Sequence, residues 1–162
     1  MFGDKTFTGH FVRGFVSTQF ALIVLLGAIA AAAVIPPDEP TVEELKARLA
    51  AANTGDKVHF CVQLAEKRLS DADKLYVADD IDKAQGALGD VVSYSELARD
   101  YSIESRKHQK QTEIAMRAMT RKLTAILHVL GHDDQGPVQD AIKRLERVRD
   151  DLLASMFPKG VQ

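Results

Sequence analysis

The stretch VHFCVQLAEKRLSDADKLY, residues 58–76, decides the fold. Val58, Cys61/Val62, Ala65, Leu69, Ala72 and Tyr76 recur at alternating steps of three and four, which is the spacing of one helix face. A helix carrying this seam runs about 22 residues, or roughly 33 Å. Asp56 is placed to cap its start, and Asp79-Asp80 to form a joint at its end. Beyond the joint, Ile81, Ala84, Leu88, Val91, Ser95 and Ala98 repeat the pattern. Gly86 and Gly89 lie inside this second helix, where each costs roughly 1 kcal/mol of helix propensity against Ala. Close approach of a neighbouring helix is the expected reason for them.

Working outward, Thr41-Val42-Glu43-Glu44 is a capping box that opens a short helix showing Val42, Leu45 and Leu49 on one side. Asn53-Thr54-Gly55 ends it. On the other side, Glu104 to Glu113 reads ESRKHQKQTE and has no apolar stripe. It fits either a loop between two antiparallel helices or the exposed waist of one long helix. Its residues are good helix formers, which favours a continuous or nearly continuous helix from Ile81 to Leu130, roughly 75 Å long. Ile114, Ala118, Leu123, Ile126, Leu127 and Leu130 then restore an apolar stripe. Gly131 is expected as a left-handed C′ residue, and Pro137 in the first turn of a last helix. Val138, Ala141/Ile142, Leu145, Val148, Leu152 and Met156 form that helix's seam. Asp140 with Arg144, and Arg147 with Asp151, are spaced for i,i+4 pairing. No strand-like run follows Pro40. The expected fold is all-α: an antiparallel or elongated bundle of three to five helices within residues 41–158.

The run Leu64-Ala65-Glu66-Lys67-Arg68-Leu69-Ser70-Asp71-Ala72-Asp73-Lys74-Leu75, with its acidic joint and second helix, resembles a domain of unknown function. That domain occurs in exported and membrane-anchored bacterial proteins. The resemblance covers residues 58–102. It implies an extracytoplasmic helical hairpin and carries over no catalytic residue.

Compartment is read from FALIVLLGAIAAAAVI, residues 20–35, which ends at Pro36-Pro37. The uncharged run spans residues 14–35, close to the roughly 20 apolar residues a bilayer core requires. Its alanine ladder also offers small-x-small sites for signal peptidase. Residues 1–33 are therefore expected to be a signal peptide or an N-terminal anchor in the inner membrane, followed by a proline-rich linker at 34–40. Lys5 and Arg13 precede the run, and Asp38, Glu39, Glu43 and Glu44 follow it. Positive charge stays inside, so the helical domain is expected outside the cytoplasm, periplasmic or secreted, under either reading.

The 162 residues carry a formal charge of −2, and this balance excludes general nucleic-acid binding. Cys61 is the only cysteine, so no internal disulfide exists; it is expected as a small buried hydrophobe, with an intermolecular disulfide as the other reading. Three groups of residues bear on chemistry. His128 and His132 stand four apart near a helix end, a spacing that shares one metal from one helix face; they lack the Glu of the zinc-protease motif. Arg106, Lys107, Lys110, Arg117, Arg121 and Lys122 form a basic belt downstream of an acidic segment, suited to an anionic partner or to a second copy of the chain. The many carboxylates fall mostly outside the seams, as solvated groups do. Catalytic triads, phosphate loops, CxxC and Glu-x-x-His pairs are absent from the sequence. No enzyme activity and no cofactor are expected. The function read from the sequence is a non-enzymatic extracytoplasmic interaction or structural module of the bacterial envelope, working with a protein partner or as a homo-oligomer. The alternative is a periplasmic metal-binding or metal-sensing bundle using His128 and His132.

Overall fold

A computed structural model describes residues 39–158; the leader at 1–33, the membrane-spanning reading of 14–35 and most of the linker lie outside the described residues. Five α-helices follow in order: α1 (Val42–Ala51), α2 (Thr54–Val77), α3 (Ile81–Ser105), α4 (Gln109–Val129) and α5 (Gln135–Met156), with a 3-10 turn at His132–Asp134. No strand occurs among the described residues. None of their helices is long and apolar enough to cross a membrane.

The capping box forms as the sequence implies. The Glu44 amide donates to Thr41 Oγ1 at 3.2 Å, and the Thr41 amide donates to Glu44 Oε2 at 2.8 Å. Leu45 is the one fully buried residue of α1, with Val42 and Leu49 half-buried on the same side. At the start of α2 the cap is Asn53 rather than Asp56: the Asp56 amide donates to Asn53 Oδ1 at 3.0 Å. Asn53 adopts the extended backbone a cap requires, which makes Thr54, Gly55 and Asp56 the first turn.

The continuous helix expected over 81–130 does not form. The chain breaks at Arg106–His108, and α4 folds back. Arg106 and His108 both take left-handed backbone, with φ of 54° and 59°. Each such non-glycine residue costs on the order of 1–2 kcal/mol. One hydroxyl, that of Ser102, bonds across the break, and two others add a bond to main-chain carbonyls beside it. Ser102 Oγ donates to the Lys107 carbonyl at 2.7 Å, Ser105 Oγ to the Tyr101 carbonyl at 2.6 Å, and Thr112 Oγ1 to the His108 carbonyl at 2.9 Å. Side chains of this kind compete with backbone helix bonds. The strain is offset because reversal buries Met116, Met119, Leu123 and Ile126 of α4 in the same core as α2, α3 and α5.

Cross-helix ion pairs fix the arrangement. Arg68 of α2 meets Asp90 of α3. Glu96 and Arg99 of α3 meet Arg144 and Asp151 of α5 at 2.7 and 2.9 Å. Glu113 of α4 meets Arg149 of α5 at 2.8 Å, and Lys122 of α4 meets Asp73 of α2 at 3.1 Å. The register of these pairs makes α2 and α3 one antiparallel hairpin and α4 and α5 another. The helices follow one another around the bundle as α2, α3, α5, α4. No ion pair among the described residues joins α3 to α4. The expected i,i+4 pairs on α5 are replaced: Arg144 and Asp151 reach α3, and Asp140 pairs with Lys143 at 3.7 Å. A long side chain on a half-buried helix gains more from a fixed cross-helix partner than from a frayed surface neighbour.

The seam of residues 58–76 is the inner face of α2: Val58, Cys61, Ala65, Leu69, Ala72 and Tyr76 are all buried. Ala84, Leu88, Val91, Ser95 and Ala98 answer them from α3. Alanines on both sides let the two backbones come close. The Cys61 thiol is fully buried, and desolvation pushes its pKa up to about 12, so it packs as a hydrophobe and no partner thiol can reach it.

Among the described residues, nothing packs closely on Gly86 or Gly89. Both are exposed, and a Cβ added at either meets nothing within 4 Å. Replacing each with Ala is therefore expected to stabilise α3 by roughly 0.5–1 kcal/mol, read as a higher denaturation midpoint at an unchanged slope. Gly131 likewise departs from expectation. Its φ is −59°, and the left-handed positions fall instead on Asp79, Arg106 and His108. Helix α4 ends in extended backbone at Leu130, and the 3-10 turn takes up the reversal, so no left-handed cap is needed.

Tyr76, near the end of α2, carries the one buried side-chain polar atom among the described residues that has no hydrogen-bond partner. Burial, and then the charge of Asp134, raise its phenol pKa. Removing an unpartnered buried hydroxyl relieves its desolvation cost. Tyr76→Phe is expected to leave the fold intact and raise stability by about 1 kcal/mol in chemical denaturation.

Candidate interaction surface

Helix α4 is the basic helix of the bundle. Lys110, Arg117, Arg121 and Lys122 stand on it against a single carboxylate, Glu113. Its buried side is Thr112, Glu113, Met116, Met119, Leu123 and Ile126. The opposite side carries Lys110, Ile114, Arg117, Ala118, Arg121, Ala125 and His128, all exposed. Ile114 is 52% exposed, one turn into this stripe between Lys110 and Arg117.

Sequence reading assigned Ile114 and Ala118 to the core-facing side, and the structure corrects this. The turn at 106–108 resets the phase of α4, and Met116 and Met119 take the core positions instead. Methionine's flexible thioether fills irregular space well. The signal available in the sequence was the presence of two incompatible apolar faces over residues 114–119, of which only one can point inward.

Glu113 is the anchor of the stripe's edge. It is 4% exposed, yet its Oε1 accepts from Arg117 Nη2 at 2.6 Å and from Arg149 Nε at 2.8 Å. The Arg117 hydrogen bond first, and Arg149 after it, hold this carboxyl below the usual range against the opposing effect of burial. The bridge ties α4 to α5 and holds the Arg117 guanidinium against its own helix.

The structure separates the six belt residues into three groups. Lys110, Arg117 and Arg121 share the outward stripe of α4. Arg106 and Lys107 lie on the α3–α4 link, with the Lys107 side chain passing over Gly55, where an added Cβ would sit 3.0 Å from Lys107 Cδ. Lys122 turns aside to Asp73. Among the described residues, Lys110 and Arg121 have no carboxylate within ion-pair distance, so the stripe's charge is not consumed internally.

The two histidines are not brought together on one helix face. His128 lies on the last turn of α4, with its Nδ1 2.7 Å from the Thr124 carbonyl oxygen. His132 sits beyond the helix end, on the exposed 3-10 turn with Asp133 and Asp134. No group of three or more His, Cys, Asp or Glu side chains among the described residues is arranged to hold a metal ion.

An open groove of about 310 Å³ lies between α1 and α2, lined by Glu39, Leu45, Glu66, Lys67, Ser70 and Asp71 among others. Lys67 lies 3.6 Å from Glu39, and Arg68 lies 3.6 Å from Asp71, so two of its three carboxylates are already paired. Glu66 is raised by desolvation, but it has no nucleophile or second unpaired carboxylate facing it across a closed site.

No family model matches the chain, and neither the curated proteins nor the solved structures contain a match to it.

Proposed function

We propose that this chain is a non-enzymatic, extracytoplasmic interaction module of the bacterial envelope, exported or held at the inner membrane through residues 14–35. The observation that carries the reading is the outward face of α4. It sets three cations and an exposed isoleucine on a rigid helix and leaves Lys110 and Arg121 without an internal partner. A charged rim around an apolar centre is the composition of a protein-recognition patch. The leader and the resemblance of residues 58–102 to exported helical hairpins support the compartment.

The test is a photo-crosslinking amino acid at Ile114, with a second at exposed Gln139 of α5 as control, in cells carrying the full chain. A discrete adduct from position 114, absent from position 139 and lost with Lys110→Glu and Arg121→Glu, is the expected result. Adducts of equal, unfocused yield at both positions would overturn the reading.

A further inference from the structure

Building on that reading, we propose that the partner of the α4 face is the α3 face of a second copy of this chain. The outward side of α3 is the charge complement of α4. It presents Asp82, Gly86, Gly89, Ser93, Leu97, Asp100 and Glu104, all exposed; Asp100 already pairs with Arg99 at 2.8 Å, while Asp82 and Glu104 at the two ends have no cation within ion-pair distance among the described residues. Its middle is smooth, because nothing lies within 4 Å of a Cβ built on Gly86 or Gly89. These glycines cost helix stability and serve no packing among the described residues, so an approaching helix of a second copy gives them a use.

The register of the two stripes matches. Helix α3 ends and α4 begins at the same end of the bundle, and the two run antiparallel. With a rise of about 1.5 Å per residue, Lys110 lies level with Glu104 and Asp100. Ile114 lies within a turn of Leu97, the exposed apolar residue of α3. Arg117 falls level with Leu97, and Arg121 with Ser93, whose small side chain leaves room for the longer one. His128 falls within about two turns of Asp82.

A second copy laid alongside at the same level therefore brings Lys110 onto Glu104 and sets isoleucine within a turn of leucine. The contact joins unlike faces, α4 of one copy and α3 of the next, and is heterologous. Each copy keeps one face free, and the assembly grows into a line of copies rather than stopping at a dimer.

Sedimentation velocity of the full chain in a nonionic detergent, from sub-micromolar to high-micromolar concentration, tests this. The expected result is a mass that climbs past the dimer. Lys110→Glu with Arg121→Glu, and separately Asp100→Lys with Glu104→Lys, are each expected to weaken association roughly tenfold or more. Combining all four restores complementarity and is expected to restore assembly. Circular dichroism checks that each variant keeps its helices. A chain that stays monomeric throughout, an assembly indifferent to reversal of one face, or a folded quadruple variant that does not reassemble would overturn the inference. A crosslink from position 114 to a different protein would overturn it too, while leaving the interaction reading standing.

Discussion

Leu145→Ala is expected to cost about 3 kcal/mol, within a range of roughly 2–5 for a buried leucine, and to lower the melting temperature by about 10 °C. Leu145 is 0% exposed at the middle of α5 and belongs to the cluster that all four long helices share. Truncation removes apolar contact from the core where α5 packs on α3 and α4, and those two helices limit how far the site can collapse. Gln139→Ala, on the exposed side of α5, is the control and should change stability by less than about 0.5 kcal/mol. A loss at Leu145 no larger than the control would mean that α5 is not packed against the other helices.

Glu113→Gln is the second large effect. The substitution keeps shape but removes the charge that bridges Arg117 and Arg149, and should cost about 1–2 kcal/mol at neutral pH. The pH dependence carries more information. The folded carboxyl sits below its ordinary value of 4.5, so the unfolded chain binds more protons in the interval between the two. The stabilisation is fully present above about pH 4.5 and is lost as pH falls through the folded value. Acid unfolding of the parent should therefore steepen in that interval, and the Gln variant should show a flatter acid limb. Identical acid limbs would mean that the bridge contributes nothing.

The parts of this fold that the sequence reveals are those fixed by short-range periodicity. The faces of α2, α3 and α5 could be read directly, because Leu, Val and Ala at steps of three and four leave one solution. The reversal at 106–108 could not, because ESRKHQKQTE contains no glycine or proline and every residue in it tolerates a helix. What supports the reversal there is the Ser102 hydroxyl reaching the Lys107 carbonyl, together with the burial that α4 gains by folding back. That gain is tertiary and leaves no local mark. The same reversal set the phase of α4 and so decided that Ile114 faces outward. The belt was visible as composition, but its division into an outward stripe, a link and one inward-turned lysine depends on helix phase. Gly86 and Gly89 were visible as an anomaly, and only the built helix shows that they face away from the core.

Lysine-specific footprinting tests the central claim most directly. The full chain would be labelled once in intact envelopes and once as dilute purified protein, and read by mass spectrometry. Protection of Lys110 in the envelope, with Lys46 and Lys143 labelling equally in both samples, is the expected result. Equal labelling of Lys110 in the two samples would contradict an occupied α4 face.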